Sequence, residues 1–115
     1  MLSELRNRFD IDELNSTWCF WFKCLWCDKS GFDAFHHIMS PSSLRYQDGE
    51  FNRSMLNSCP IHNFSCHLYN PELHKEENER YLLQKVLRIL IKESYILKKI
   101  DVEFFKKYES LYTTK

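Results

Sequence analysis

Cysteine and histidine side chains are concentrated in one part of this chain. A Cys-x-x-Cys pair, Cys24 and Cys27, precedes two adjacent histidines, His36 and His37, and a further histidine follows at His67. Thiolates and imidazoles bind transition metals well, and core packing alone does not require so many of them within one segment. The pattern predicts a compact metal site.

The composition favours one small domain with substantial helix. A chain of 115 residues is expected to form one domain with a modest core. Hydrophobic residues make up 43% of the chain and aromatic residues 16%, which excludes a disordered tail. Only 2 glycines and 3 prolines are present, too few for a β-sandwich with many tight turns. We expect a single α+β domain over residues 1–115.

The charge balance limits the kind of nucleic-acid protein this could be. The chain has 16 basic and 16 acidic residues and a formal net charge of zero. A protein that coats DNA through charge alone would be basic. An enzyme that holds one phosphate with a metal ion and a few local cations need not be, although its non-specific affinity would be weaker and it could depend on a protein partner.

The cysteines and the N-terminus favour a reducing compartment. Residues 1–15 are charged and lack the apolar core of a secretory signal, and no apolar run approaches the length of a membrane span. Five cysteines are an odd number, and a Cys-x-x-Cys pair in an intracellular chain more often binds metal than forms a structural disulfide. We expect a cytoplasmic protein without a membrane partner.

The N-terminal two thirds reads as short elements around tight turns. Residues 1–15 predict an amphipathic helix, and the aromatic stretch 16–27 is compatible with strand or helix, with Cys19 as a buried thiol. Residues 32–39 predict a strand, 40–52 a loop and 53–58 a second strand. Pro60 is predicted to open a short helix that runs to about Tyr69.

The C-terminal part, residues 71–112, predicts helical support for the rest. Asn70 and Pro71 resemble a helix start, and the helical pattern continues to about Lys98. Asp101 is a candidate cap for a last helix. The broad apolar side of the long helix has two interpretations: it covers the core of its own domain, or it forms the seam of a homodimer.

The histidines have a chemistry in common with phosphodiester cleavage. That reaction requires a base to activate water and a cation to stabilise charge on the phosphate and on the leaving oxygen. Imidazole suits the first task because its pKa lies near neutrality, and it is also a good ligand for several divalent metals. Adjacent residues of a strand point to opposite faces, so His36 and His37 would not ordinarily bind the same ion. His67 could complete a metal site with one of them, and Asn57 could fix the intervening loop through its amide.

These motifs resemble a known family. The run HHI, a later Asn, and a Cys-His pair behind a Cys-x-x-Cys resembles the HNH endonucleases, and the run S-x-L-N-x-C-P-I-H-N-x-x-C-H is similar to small phage-encoded members. The resemblance covers residues 24–70. It implies a ββα-metal, treble-clef-like motif and, for a phage protein, the host cytoplasm.

The resemblance implies a role for each motif residue. His36 and His67 would be the ligands of Mg²⁺ or a similar divalent ion, and His37 would be the general base that deprotonates water. Asn57 would orient the loop. The substrate would be DNA, and the products a 5′-phosphate and a 3′-hydroxyl.

The structural zinc departs from the family pattern. Members with a leading Cys-x-x-Cys usually carry a second such pair, but the position three before Cys66 is Asn63. His62 lies four before Cys66, so the two would share one face of a helix. Because zinc accepts three cysteines and one histidine, the favoured ligands are Cys24, Cys27, His62 and Cys66. Cys59 is the rival third ligand, and His67 is a further candidate.

Two basic residues are candidates for contacts with the DNA backbone. Arg45 and Arg53 flank the loop between the motif halves and are candidate phosphate contacts.

Two alternative functions are also compatible with the sequence. A zinc module that binds nucleic acid or protein without cutting is the first alternative. A thiol-redox protein that uses Cys24 and Cys27 is the second.

Overall fold

The structure, a computed structural model, describes residues 9–39, 53–68 and 71–113. These residues form a small α+β domain with a two-stranded antiparallel sheet, which confirms the expected fold class. The longer elements, in chain order, are helix α1 (Ile11–Thr17), strands β1 (Ala34–His37) and β2 (Ser58–Ile61), and helices α2 (Glu76–Lys92), α3 (Lys99–Lys107) and α4 (Glu109–Tyr112). Short 3-10 turns occur at Met55–Asn57 and Pro71–His74, and a π-helical segment at Asn63–Leu68.

In the described part of the expected N-terminal helix, helix α1 begins at Ile11. Asp10 caps it, and its Oδ1 accepts a hydrogen bond from the Glu13 backbone N–H at 3.1 Å. Residues 1–8 of the expected helix lie outside the described residues. The helix stops at Thr17, and Trp18 turns inward to 2% exposure. The expectation of a buried Cys19 was wrong, because the turn after Trp18 leaves this thiol exposed.

The sheet aligns the adjacent histidines with the segment that follows Asn57. His36 lies opposite Cys59 and His37 opposite Ser58. The second strand was expected at residues 53–58, but it begins only at Ser58, because Ser54 caps the 3-10 turn at Met55–Asn57.

The helix predicted to begin at Pro60 is absent at that position. Pro60 instead lies in β2 opposite Phe35. A proline is tolerated there because both strands of a two-stranded sheet are edges. The helical segment starts after the strand ends, at Asn63.

Helix α2 is shorter than predicted. It ends at Lys92, and Ser94 has a positive φ of 62°, which turns the chain away. Ile96, within the span predicted as helix, follows this break and is 84% exposed. Asp101 was expected to cap the last helix. It lies instead inside the first turn of α3, where its carboxylate accepts the backbone N–H of Lys98.

The hydrophobic core lies along one side of α2. The apolar side of α2 packs on the 3-10 turns, β2 and α4, so its own domain covers it. Full burial of a side chain the size of leucine contributes about 1.5–3 kcal/mol. Fully buried members include Leu25, Ile38, Met55, Leu56, Ile61, Leu73, Leu82, Leu83 and Phe104. Within residues 9–39, 53–68 and 71–113, every helix is too short or too polar to cross a lipid bilayer.

Candidate metal centre and histidine site

Four metal-binding side chains from two separate segments of the chain lie close together. One ligand atom from each lies within 4.8 Å of all the others, and the four residues are Cys24, Cys27, His62 and Cys66. The first two lie in the turn before β1 and the others around the start of the π-helical segment. This Cys₃His cluster could hold a structural metal such as zinc.

The spacing of the cluster suits a tetrahedral ion. The Nδ1 atom of His62 lies 3.4 Å from Sγ of Cys27 and 3.8 Å from Sγ of Cys66. Zinc bonds of about 2.3 Å to sulfur and about 2.0 Å to nitrogen, at a tetrahedral angle, would separate these atoms by about 3.6 Å. The ligands therefore need little movement to close on an ion.

The other ring nitrogen of His62 fixes which atom faces the cluster. Its Nε2 lies 3.3 Å from the backbone carbonyl oxygen of Ser30. When Nε2–H donates to that carbonyl, the lone pair is on Nδ1, which points to both thiols. A second hydrogen bond of this kind is the usual means of orienting a metal-binding histidine.

The thiols of the cluster have very different acidities in the metal-free protein. Burial raises the pKa of Cys27, but hydrogen bonds from the backbone of Lys29 and from the cluster outweigh it and lower the pKa to about 7. For Cys66, burial prevails and raises the pKa to about 11. Metal binding requires thiolates, so a bound ion would displace the remaining protons and its affinity would fall with falling pH.

Cys59, the rival ligand, lies outside the four-residue cluster. Its thiol is completely buried, and burial raises its pKa far above the ordinary value. A thiolate at Cys24 would add to this effect, while the ammonium of Lys85 opposes it. Cys59 therefore behaves as a buried neutral thiol beside the cluster.

Backbone hydrogen bonds shape the Cys-x-x-Cys turn. The N–H of Cys24 donates to the carbonyl of Lys29 at 3.0 Å, and that of Asp28 to the carbonyl of Cys24 at 2.9 Å. Asp28 has a left-handed φ of 61°, which an aspartate tolerates better than most residues. The N–H of Leu25 donates to Pro60 at 2.9 Å, which attaches the turn to β2.

Lys85 holds this turn from the side of α2. Its Nζ donates to the carbonyl of Leu25 at 2.8 Å and to Oδ1 of Asp28 at 2.9 Å. Burial lowers the pKa of Lys85, but the hydrogen bond to Asp28 and its charge raise it by more, so the ammonium stays charged. A single lysine within a helical pattern gives no sequence signal for this contact.

A second site forms where β1 meets the π-helical segment. The ring centroids of His36 and His67 lie 4.0 Å apart, with a tilt of 45° between the ring planes. His36 is buried, and His67 is partly buried. The Nδ1 atom of His67 lies 3.3 Å from Oδ1 of Asn63, so an Nδ1–H donor would leave Nε2 as the atom able to bind a metal.

His37 has different surroundings from His36. Its ring stacks on Phe9 with a centroid distance of 4.0 Å and an interplanar angle of 13°. Neighbouring residues of a strand ordinarily project to opposite faces, which agrees with the different ring contacts of His36 and His37. The sequence gave no indication that Phe9 would contact this histidine.

Asn57 forms hydrogen bonds with the two residues that follow β1. Its Oδ1 accepts the N–H of Met39 at 2.8 Å, and its Nδ2 donates to the carbonyl of the same residue at 3.2 Å. Its own carbonyl accepts the N–H of Ile38 at 2.9 Å. Asn57 is fully buried, so these bonds are made away from water and hold the end of β1 against the 3-10 turn.

Of the two candidate phosphate contacts, Arg53 lies within the described residues. Arg45 lies outside the described residues. Arg53 is exposed and lines a surface cavity of about 440 Å³ together with Lys98, Lys99 and several acidic residues.

Comparison with known proteins identifies no relative of this chain. No family model, no curated protein and no solved structure matches it.

Proposed function

We propose that this protein is a metal-dependent endonuclease that hydrolyses DNA phosphodiester bonds at a ββα-metal site of the HNH type. The observation that carries the proposal is the pairing of His36 and His67, with ring centroids 4.0 Å apart. The pair comes from a strand and the helical segment that follows its partner strand. The adjacent His37 has its own position against Phe9.

His36 and His67 would hold a divalent ion such as Mg²⁺. Such an ion would stabilise charge on the phosphate and on the leaving oxygen. Two imidazoles leave most of its coordination positions to water and phosphate oxygens.

His37 would act as the general base. Its imidazole takes a proton from water, and the resulting hydroxide forms a bond to phosphorus while the bond from phosphorus to the 3′-oxygen breaks. The 3′-oxygen takes up a proton, which leaves a 3′-hydroxyl and a 5′-phosphate. Stacking on Phe9 restricts the rotation of the His37 ring, and a general base must be held in line with its water.

The Cys₃His cluster would have a structural role beside this chemistry. Cys66 and His67 are consecutive, so an ion at the cluster would fix the helical segment that supplies the second catalytic metal ligand. Zinc suits a closed site of three thiolates and one imidazole. Treatment with a strong chelator is expected to unfold the motif as well as to abolish activity.

The test is nicking of supercoiled plasmid with Mg²⁺ or Mn²⁺. The wild type should nick, and His37→Ala should lower the rate by at least about 100-fold, the contribution expected of a general base. Circular dichroism and one equivalent of zinc by elemental analysis would show that the variant is folded. Equal rates for the wild type and the folded variant would remove His37 from this role.

The alternative is a zinc module that binds nucleic acid or protein without cutting. The Cys₃His cluster favours it, because such a cluster is complete without the histidine site. In that case the wild type would contain zinc but would not nick DNA with any divalent ion. A reversible disulfide between Cys24 and Cys27 in zinc-free protein would instead support the thiol-redox alternative.

A further inference from the structure

A buried carboxylate in the C-terminal helices is connected to the histidine site by hydrogen bonds. Asp101 is fully buried. Its Oδ1 accepts the hydroxyl of Ser54 at 2.5 Å, and its Oδ2 accepts the hydroxyl of Tyr95 at 2.6 Å and the N–H of Lys98 at 2.9 Å. A carboxylate without water requires such donors, so its position fixes theirs.

Ser54 carries the connection to the 3-10 turn. The same hydroxyl oxygen that donates to Asp101 accepts the N–H of Leu56 at 3.2 Å. The backbone carbonyl of Ser54 accepts the N–H of Asn57 at 3.0 Å. Ser54, Leu56 and Asn57 are all fully buried, so water cannot replace these bonds.

Asn57 carries the connection to β1. Its side chain binds both backbone groups of Met39, and its carbonyl accepts the N–H of Ile38, the residue after His37. A continuous path of hydrogen bonds therefore runs from α3 to the end of the strand that bears both histidines. Ser58 holds the other end of the turn: its hydroxyl donates to Met55 and accepts the indole N–H of Trp18.

We propose that Asp101 is a positioning residue for the histidine site, acting through Ser54 and Asn57 on the end of β1. The inference rests on the proposed nuclease function and deepens it, because it makes the C-terminal helices part of the catalytic apparatus. The physical reason is directional. An amide at position 101 that faces Ser54 through its N–H₂ group would take away the acceptor to which the serine hydroxyl now donates. A displacement of about 1 Å at a catalytic group can cost about 100-fold in rate.

The experiment compares Asp101→Asn, Ser54→Ala and the double variant with the wild type. Each single variant should lower kcat about 10-fold, with KM within about 2-fold and an unchanged zinc content. The double variant should be no slower than the slower single variant, because both remove the same connection. Tyr95→Phe is the matched control: it removes a hydrogen bond to the other oxygen of Asp101 and should keep kcat within about 2-fold.

Amide hydrogen exchange provides a readout that does not depend on cutting. The N–H of Met39 should exchange about 10-fold faster in Asp101→Asn, relative to the N–H of Val86 in the middle of α2. Loss of activity in Tyr95→Phe equal to that in Asp101→Asn would reduce the effect to general stability and overturn the inference. So would Ser54→Ala with unchanged kcat and unchanged exchange at Met39. A wild type that does not cut would remove the nuclease proposal, and exchange at Met39 would still decide whether Asp101 holds the end of β1.

Discussion

Asn63 shows how one side chain can change the role of its neighbours. In the resembled family pattern, a cysteine at this position would belong to the second Cys-x-x-Cys pair. Here Oδ1 of Asn63 lies 3.3 Å from Nδ1 of His67, and its backbone N–H donates to Asp33 at 2.7 Å. His62 stands within the zinc-type cluster instead. The departure from the pattern thus removes one thiol and supplies an orienting acceptor for a histidine.

In the proposed nuclease, substitution of Asn63 should weaken binding of the catalytic divalent ion but leave the structural zinc. Asn63→Leu keeps the branched shape of the side chain and removes the acceptor for Nδ1–H of His67, so the ring loses its fixed orientation. Loss of such an outer contact commonly costs about 10-fold or more in metal affinity. We expect half-maximal nicking at an about 10-fold higher Mn²⁺ concentration, with one equivalent of zinc retained.

The matched variant is Asn63→Asp, which keeps an oxygen acceptor facing His67. It should need a Mn²⁺ concentration close to that of the wild type. If the leucine variant titrates like the wild type, Asn63 does not orient His67.

The elements were predictable where periodicity carries the information. The apolar face of α2 was read from its spacing, and Leu82, Leu83, Val86 and Leu90 are indeed fully buried. The ends of elements were not predictable, because tertiary contacts of polar side chains set them. Ser54 holds residues 55–57 in a 3-10 turn where a strand was expected, and the left-handed Ser94 ends α2 before Lys98.

In the candidate sites, the sequence predicted the ligands of the cluster but not the residues that support them. The sequence grouped the four cluster residues, since Cys-x-x-Cys and His-x-x-x-Cys spacings put ligands on one turn or face. It did not reveal Lys85, Phe9 or Asp101. Each of these contacts a site residue or its supporting turn from a distant part of the chain, and no local pattern reports such contacts.

Lys85 provides a test of how α2 supports the Cys-x-x-Cys turn. Lys85→Met keeps the aliphatic stem, but it removes the donor to Leu25 and the partner of Asp28. Three thiolates and a neutral imidazole leave a zinc site with one net negative charge, so loss of a nearby ammonium should also be unfavourable. We expect zinc affinity to fall about 10-fold in competition with a chromogenic chelator.

Arg88→Met is the control for this variant, because Arg88 is an exposed cation on the same helix. It should bind zinc like the wild type. An equal fall in both variants would mean that general helix charge, and not the contact with the turn, accounts for the effect.

The flanking helices and the motif form one structure in the whole molecule. The motif of two short strands has little core of its own, and a segment of that size cannot bury enough surface to be stable alone. Trp18, at the end of α1, and Asp101, in α3, bind the serines on either side of the 3-10 turn. Helices from both ends of the chain thus stabilise the turn that carries Asn57.

The zero net charge limits how the proposed nuclease could bind DNA. Binding through the phosphate backbone releases counterions, and the dependence of affinity on salt counts the phosphates that are neutralised. A neutral protein with few local cations should therefore show a shallow dependence. Arg53 is a candidate among these cations because its side chain is exposed, although the cavity that it lines contains three acidic residues beside Lys98 and Lys99.

Arg53→Ala should reduce the slope of log affinity against log salt concentration by about 0.9, the value for one phosphate contact on duplex DNA. The loss should be similar for unrelated DNA sequences, because a phosphate contact reads no bases. The slope is measured by fluorescence anisotropy with labelled duplexes between low and physiological salt. Divalent ions are left out so that the DNA is not cut. Arg88→Ala removes the same charge from the middle of α2 and should leave the slope unchanged. Equal slopes for Arg53→Ala and the wild type would exclude Arg53 from the DNA contact and would place the bound phosphates elsewhere on the surface.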